Sequence, residues 1–133
     1  MDESRIKIAE TCRDGAENNT MTFPQIVETL MANGFEGYAI DFRRGLATYY
    51  SLDGHGLDLP TQQVELPISP SFDGSLVQEA IREAQHLVSG YTYKGFCEKV
   101  TAAGCAGYIV SFSGRRALYF GRTAETHVEL FPK

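Results

Sequence analysis

A spacing of 70 residues governs this chain. Thr22 to Tyr49 aligns without a gap on Thr92 to Tyr119, and the identities Thr22/Thr92, Glu28/Glu98, Ala32/Ala102, Gly34/Gly104, Gly37/Gly107, Tyr38/Tyr108, Phe42/Phe112, Ala47/Ala117 and Tyr49/Tyr119 recur at that offset. The similar pairs Phe23/Tyr93, Ile26/Phe96, Leu30/Val100 and Ile40/Val110 keep the apolar period as well as the letters. Conservation of both is the mark of a repeated supersecondary unit. The chain therefore reads as an internal duplication.

Each copy reads as a helix followed by a β-hairpin. Thr22 is an N-cap with Gln25 three residues on and Pro24 in the opening turn, and Phe23, Ile26, Val27 and Leu30 form an apolar seam that Gly34 ends. Thr92 to Gly104 repeats this with Tyr93, Phe96, Cys97 and Val100. The period then changes to two, with Tyr38, Ile40 and Phe42 alternating with Ala39 and Asp41, and Tyr108, Val110 and Phe112 with Ile109 and Ser111. Turn residues in "RRG" and "SGRR" precede the returning strands Leu46 to Tyr50 and Arg116 to Phe120.

The shared letters of "QVELP" (Gln63 to Pro67) and "HVELFP" (His127 to Pro132) predict a third strand in each copy, at an offset of 64 with six extra residues before the first. A further helix precedes each unit. In "GSLVQEAIREAQHLVSG" the residues Leu76, Val77, Ala80, Ile81, Ala84, Leu87 and Val88 share one face, with Ser75 available as cap; Asp2 to Asp14 is a weaker copy with Ile6, Ala9 and Cys12. The expected fold is α+β, a helix-helix-hairpin-strand unit present twice, in pseudo-twofold halves that share one core. Residues 1–133 form a single domain on this reading, with units at about 1–67 and 72–132 joined through "PISPSFDG".

Composition removes whole classes of function. At 133 residues, 43% hydrophobic and 22% charged, the chain can bury a core without disulfide or metal staples. A net charge of −5 argues against coating nucleic acid or anionic membrane. The charged start "MDESRIKIAE" has no apolar signal region, and the uncharged run Val100 to Gly114 is too short and too glycine-broken to span a bilayer. Cys12, Cys97 and Cys105 are an odd count without paired spacing, which suits free thiols in a reducing compartment and predicts a cytoplasmic protein.

The stretch "YTYKGFCEKVTAAGCAGYIVSFSGRRALYFGRTAETHVELFPK", with the total length, resembles a small bacterial family of unknown function labelled phage-envelope-protein-like, of the YbcV/YdfO type. Shared features are a Thr-[Phe/Tyr] helix, an aromatic strand, a basic hairpin and a closing Phe-Pro followed by a basic residue. The resemblance covers about a third of the chain and carries over no catalytic residue.

Motif chemistry is sparse. Cys97 occupies the seam position of Val27, and Cys105 that of Phe35, so both read as buried hydrophobes, as does Cys12 three residues after Ala9. His86 falls at a helix end, where a cation suits the dipole. His55 lies in "DGHGLD" with Asp53 and Asp58, donors a metal can use but in a spacing that matches no known site. No zinc motif, P-loop, GxSxG or GxGxxG occurs, so no cofactor or metal is expected.

Arg43 with Arg44, and Arg115 with Arg116, set paired guanidinium groups at the hairpin turns, suited either to binding carboxylate or phosphate or to guarding exposed strand edges. The recurring tyrosines are either aromatic binding walls or packing for a half-buried sheet, and packing is the reading preferred. Three classes stay open: a non-enzymatic ligand-binding or protein-interaction domain, favoured for want of a catalytic constellation; an enzyme using His127 or His55 with Asp58 or Glu125; and a phage-derived accessory protein. Expected partners are a small anionic ligand and a second copy of the chain, with a ligand site formed by Tyr108, Arg115, Arg116 and His127.

Overall fold

The computed structural model describes residues 1–62, 64 and 67–132. Along the chain run α1 (Glu3–Glu17), α2 (Phe23–Ala32), β1 (Phe35–Asp41), β2 (Leu46–Ser51), β3 (Gly56–Pro60), α3 (Gly74–Gln85), α4 (Tyr93–Ala102), β4 (Cys105–Ser111), β5 (Arg116–Gly121) and β6 (Thr126–Leu130). The strands form one antiparallel sheet in the order β3-β2-β1-β4-β5-β6. The fold class is α+β, as the alternating periods require.

The central pairing carries the 70-residue spacing into three dimensions. Ala39 of β1 lies opposite Ile109 of β4, its own counterpart, and Tyr38↔Val110 becomes Ile40↔Tyr108 when each residue is exchanged for its equivalent. Residues 70 apart thus exchange places in the register of β1 and β4. Both halves also break the β1/β2 and β4/β5 ladders at equivalent places, between Phe35 and Gly37 and between Cys105 and Gly107. Left-handed backbone recurs at matched positions as well, at Gly34 (φ 84°) and Gly104 (φ 95°) just past the helices α2 and α4.

Local chemistry explains the helix starts. Thr22 and Gln25 close a full capping box at α2, and Thr92 caps α4 through Gly95 N–H at 3.0 Å. Asp73, not Ser75, caps α3, because its carboxylate accepts from Ser75 N–H (3.1 Å) and Leu76 N–H (3.2 Å) and an ionised acceptor suits the helix N-terminus better than a hydroxyl.

Two other expectations are corrected. The third strand of the first half is Gly56–Pro60, 70 residues before Thr126–Leu130, so the spacing holds where the shared Val-Glu-Leu letters suggested 64. Its inward Leu57 and Leu59 face the core opposite Tyr49 and Ala47, and that alternation decides the pairing. Of the stretch expected as strand, Gln63, Glu65 and Leu66 lie outside the described residues, and Val64 is in no regular element. Helix α3 stops at Gln85, with His86 as its C-cap, and Leu87 and Val88 leave the inner face.

The helices cover one face of the sheet. Ala9, Cys12, Ile26, Leu30, Val77, Ile81, Phe96, Cys97 and Val100 are buried against Tyr38, Ile40, Ala47, Tyr49, Leu59, Tyr108, Val110, Ala117 and Tyr119. The other face carries half-exposed Tyr50, Ile109 and Val128. Among the described residues no helix is long and apolar enough to cross a membrane.

Candidate functional site

The inward positions of the four central strands place tyrosine beside tyrosine. Tyr38 pairs with Tyr49 across β1/β2 and Tyr108 with Tyr119 across β4/β5, giving ring centroids 5.6 Å and 5.0 Å apart. Tyr38 meets Tyr108 edge-on at 6.4 Å, so one aromatic row crosses the middle of the sheet. From α4, Phe96 stands edge-on over Tyr108 (6.5 Å) and Tyr119 (6.4 Å), and the hydroxyls of Tyr93 and Tyr108 share a 2.7 Å hydrogen bond.

Next to these rings the floor holds Ala47 and Ala117, whose short side chains leave space below the helices. The result is a cavity of about 700 Å³. Its floor is Tyr38, Ile40, Ala47, Tyr49, Tyr108, Ala117 and Tyr119, and its roof includes Cys12, Ala16, Ile26, Ile81 and Phe96. Among the described residues the rim consists of the α1–α2 loop, the α3–α4 loop and the stretch Leu130 to Pro132. Three contacts tie the rim together: Asn19 Oδ1 accepts from Tyr93 N–H (2.8 Å), Phe23 meets Phe131 edge-on (5.6 Å), and the Arg115 guanidinium lies 5.9 Å from the Phe131 ring centre.

The tyrosines are neutral donors at physiological pH. Burial pushes Tyr38, Tyr49, Tyr93, Tyr108 and Tyr119 well above the ordinary phenol range, and Tyr91 up to about 12. Tyr38, Tyr49 and Tyr119 are each at least nine-tenths buried, yet among the described residues their hydroxyls form no side-chain hydrogen bond. No fully buried side-chain polar atom lacks a partner there, so these three hydroxyls open into the cavity.

Of the four expected site residues, the structure brings only Tyr108 into the cavity wall. Arg115 sits in the β4–β5 turn at φ 52°, reaching the Pro132 carbonyl (3.3 Å) and the Phe131 ring, and so touches the rim from outside. Arg116 turns back to the Gly114 carbonyl at 3.1 Å. His127 faces the helices on β6, with Nε2 3.3 Å from Glu129 Oε2.

The other polar candidates are dispersed. Glu125 accepts from Thr123, Asp58 from Thr48, and Asp53 is held by Ser51 and Arg5; the Ser51 hydroxyl keeps the Asp53 carboxyl below its usual range. Among the described residues, no cluster of His, Cys, Asp or Glu is suited to a metal. All three cysteines are free and buried, and burial pushes Cys12, Cys97 and Cys105 up to about 11, 12 and 11.

Sequence reasoning passed over Glu129, which lines the cavity. The signal was present in "THVEL", where alternation puts His127 and Glu129 on the inner side and half-exposed Val128 and exposed Leu130 on the other, the inverse of the usual polarity.

Residues 12–129 match a family model described as a protein of unknown function, DUF1398. No curated protein matches the chain.

Proposed function

The chain belongs to the DUF1398 family, and we propose that it is a non-enzymatic binding protein for a small, largely apolar molecule held in the tyrosine-walled cavity. The observation that carries this reading is that three largely buried tyrosines, Tyr38, Tyr49 and Tyr119, have hydroxyls without a side-chain partner among the described residues and line an opening of about 700 Å³. Ligand pockets commonly span about 300–1,000 Å³ and combine apolar walls with a few polar groups that set orientation. Exposed Phe23, Leu87 and Val88 at the rim support an apolar ligand as well, since such side chains otherwise face water without gain. Cysteine thiols raised by burial offer no activated nucleophile.

A neutral fluorophore such as N-phenyl-1-naphthylamine tests the reading. Wild type should bind one equivalent with a fluorescence rise, and Ala117→Trp, which fills the floor, should weaken binding on the order of 10-fold while retaining cooperative unfolding. If Ala117→Trp does not fold, Ala84→Trp fills the same space from the roof. Equal binding by a folded, filled variant overturns the proposal.

A competing reading, an acid–base enzyme, draws on His127 beside the cavity-lining Glu129. Turnover of a bound compound by wild type and its loss in His127→Gln would select it. We also propose kinship with phage-envelope-like proteins, a single domain made of two duplicated pseudo-twofold halves, a homodimer and a cytoplasmic location. Their support is the carboxy-terminal motif, the one continuous sheet, the half-exposed apolar sheet face and the free thiols.

A further inference from the structure

We infer that the ligand of this cavity is an organic ammonium ion, held beside the tyrosine row with its charge toward the Glu129 carboxylate. The inference rests on the cavity being a ligand site and adds the charge of what it takes.

Glu129 holds an inward slot on β6 opposite Ala117, and the equivalent slot of the first half, 70 residues earlier, is the buried Leu59. A carboxylate in a leucine position beside aromatic rings is costly unless a positive charge or strong donors compensate it. Its partners are weak. Gln85 Nε2 stands at 3.4 Å and His127 Nε2 at 3.3 Å, and among the described residues no lysine or arginine lies within ion-pairing distance of it.

Among the described residues the one cation of the lining, Arg13, is already engaged by Asp14 (3.1 Å), Glu17 (3.9 Å) and the Pro60 carbonyl (3.1 Å). Charge on the wall, counted over the described residues, is thus one arginine against two carboxylates, Glu17 and Glu129. An anion, as expected near Arg115 and Arg116, meets repulsion here, and an uncharged ligand leaves Glu129 with no countercharge except His127, which carries one only when protonated. A cation avoids both penalties, because it supplies the countercharge to Glu129 and the largely desolvated wall strengthens that attraction. The protein's net charge of −5 adds long-range attraction for a cation.

Competition against the neutral fluorophore separates this inference from the reading beneath it. Phenyltrimethylammonium and its uncharged isostere tert-butylbenzene are titrated into the full chain preloaded with N-phenyl-1-naphthylamine. The ammonium ion should displace the fluorophore at a concentration on the order of 10-fold lower than the isostere, and Glu129→Gln should remove that advantage. Glu129→Leu, which installs the residue of the equivalent slot, serves as the second variant should Glu129→Gln fail to fold. Displacement by the isostere at the same or lower concentration, or an advantage that survives in a folded Glu129 variant, overturns the inference and leaves cavity binding intact. Failure of the binding reading itself shows separately, as fluorophore binding that ignores the filled floor.

Discussion

Leu87 offers a measurement of strain placed at the rim of the cavity. Past the end of α3, Leu87 N–H bonds to the Ala84 carbonyl (3.3 Å) and Val88 N–H to the Glu83 carbonyl (3.2 Å), a Schellman closure whose left-handed residue is Leu87 at φ 45°. Glycine usually holds that position, and a side chain there costs about 1–2 kcal/mol. Leu87 is 56% exposed, so little burial offsets the cost. Leu87→Gly should therefore be more stable than Leu87→Ala by about 1 kcal/mol, since both lose the side chain and only glycine relieves the backbone. For 133 residues that difference corresponds to a Tm shift of roughly 3–4 °C. Urea unfolding followed by far-ultraviolet circular dichroism reads it as a displaced midpoint at unchanged slope. Both variants should bind the fluorophore more weakly than wild type, because both remove an apolar rim contact. A leucine retained at such a backbone angle is then explained by what the rim does. Were Leu87→Gly no more stable than Leu87→Ala, the strain would be absent and that explanation would fall.

Two further outcomes follow from the core and the rim. Cys12, Cys97 and Cys105 titrate at about 11, 12 and 11 when folded against an ordinary 9.0, so the unfolded chain releases these protons first. Their contribution to stability is full below about pH 9 and falls as pH rises through the folded values, on the order of 4 kcal/mol per pH unit near pH 10, and the buried tyrosines, raised in the same direction, steepen the fall from there upward; guanidinium titrations with a flat profile would refute this. Arg115→Ala should change stability by less than about 1 kcal/mol, because the side chain is exposed, yet should speed fluorophore release by loosening Phe131 and Pro132. Arg116→Ala, whose guanidinium only returns to Gly114, should leave both unchanged, and stopped-flow dilution that finds no difference between the two variants removes the rim role of Arg115.

What was legible in the sequence was whatever depends on neighbours a few residues away or on the fixed spacing. The Thr22 and Thr92 caps and the period-two strands are of this kind. The closing strand of the first half was misplaced because three shared letters at 64 outweighed the alternation of Leu57 and Leu59, which obeys 70. Leu87 and Val88 extended the apolar helical pattern and so read as core, but they are exposed at the cavity rim. Paired arginines drew attention as a local motif, whereas the cavity is not local. It needs alanines on β2 and β5 to stand beside tyrosines on the same strands while two helix turns and the end of the chain close around them. Recurrence of Tyr38/Tyr108 and Tyr49/Tyr119 did mark the wall, but a repeated tyrosine looks the same in sequence whether its hydroxyl meets protein or a void.

The repeated and unrepeated residues of the cavity divide its work. Tyr38/Tyr108, Ala47/Ala117 and Tyr49/Tyr119 are identical across the spacing and line both ends of the floor alike. A chamber built from these alone would offer a ligand the same side chains at its β2 end and at its β5 end. The unmatched positions break that degeneracy. Glu129 answers Leu59, Glu17 answers Leu87, and Tyr93 with Phe96 answers Phe23 with Ile26. Glu17 is already met by Arg13 and the Gln62 N–H, so the acceptor left in want of a cation lies at the β6 end alone. An elongated ammonium ligand then has one favoured direction in the chamber. Its charge meets Glu129 while its apolar remainder lies along the tyrosine row toward β2, where the Tyr38 and Tyr49 hydroxyls are open to an acceptor on the ligand.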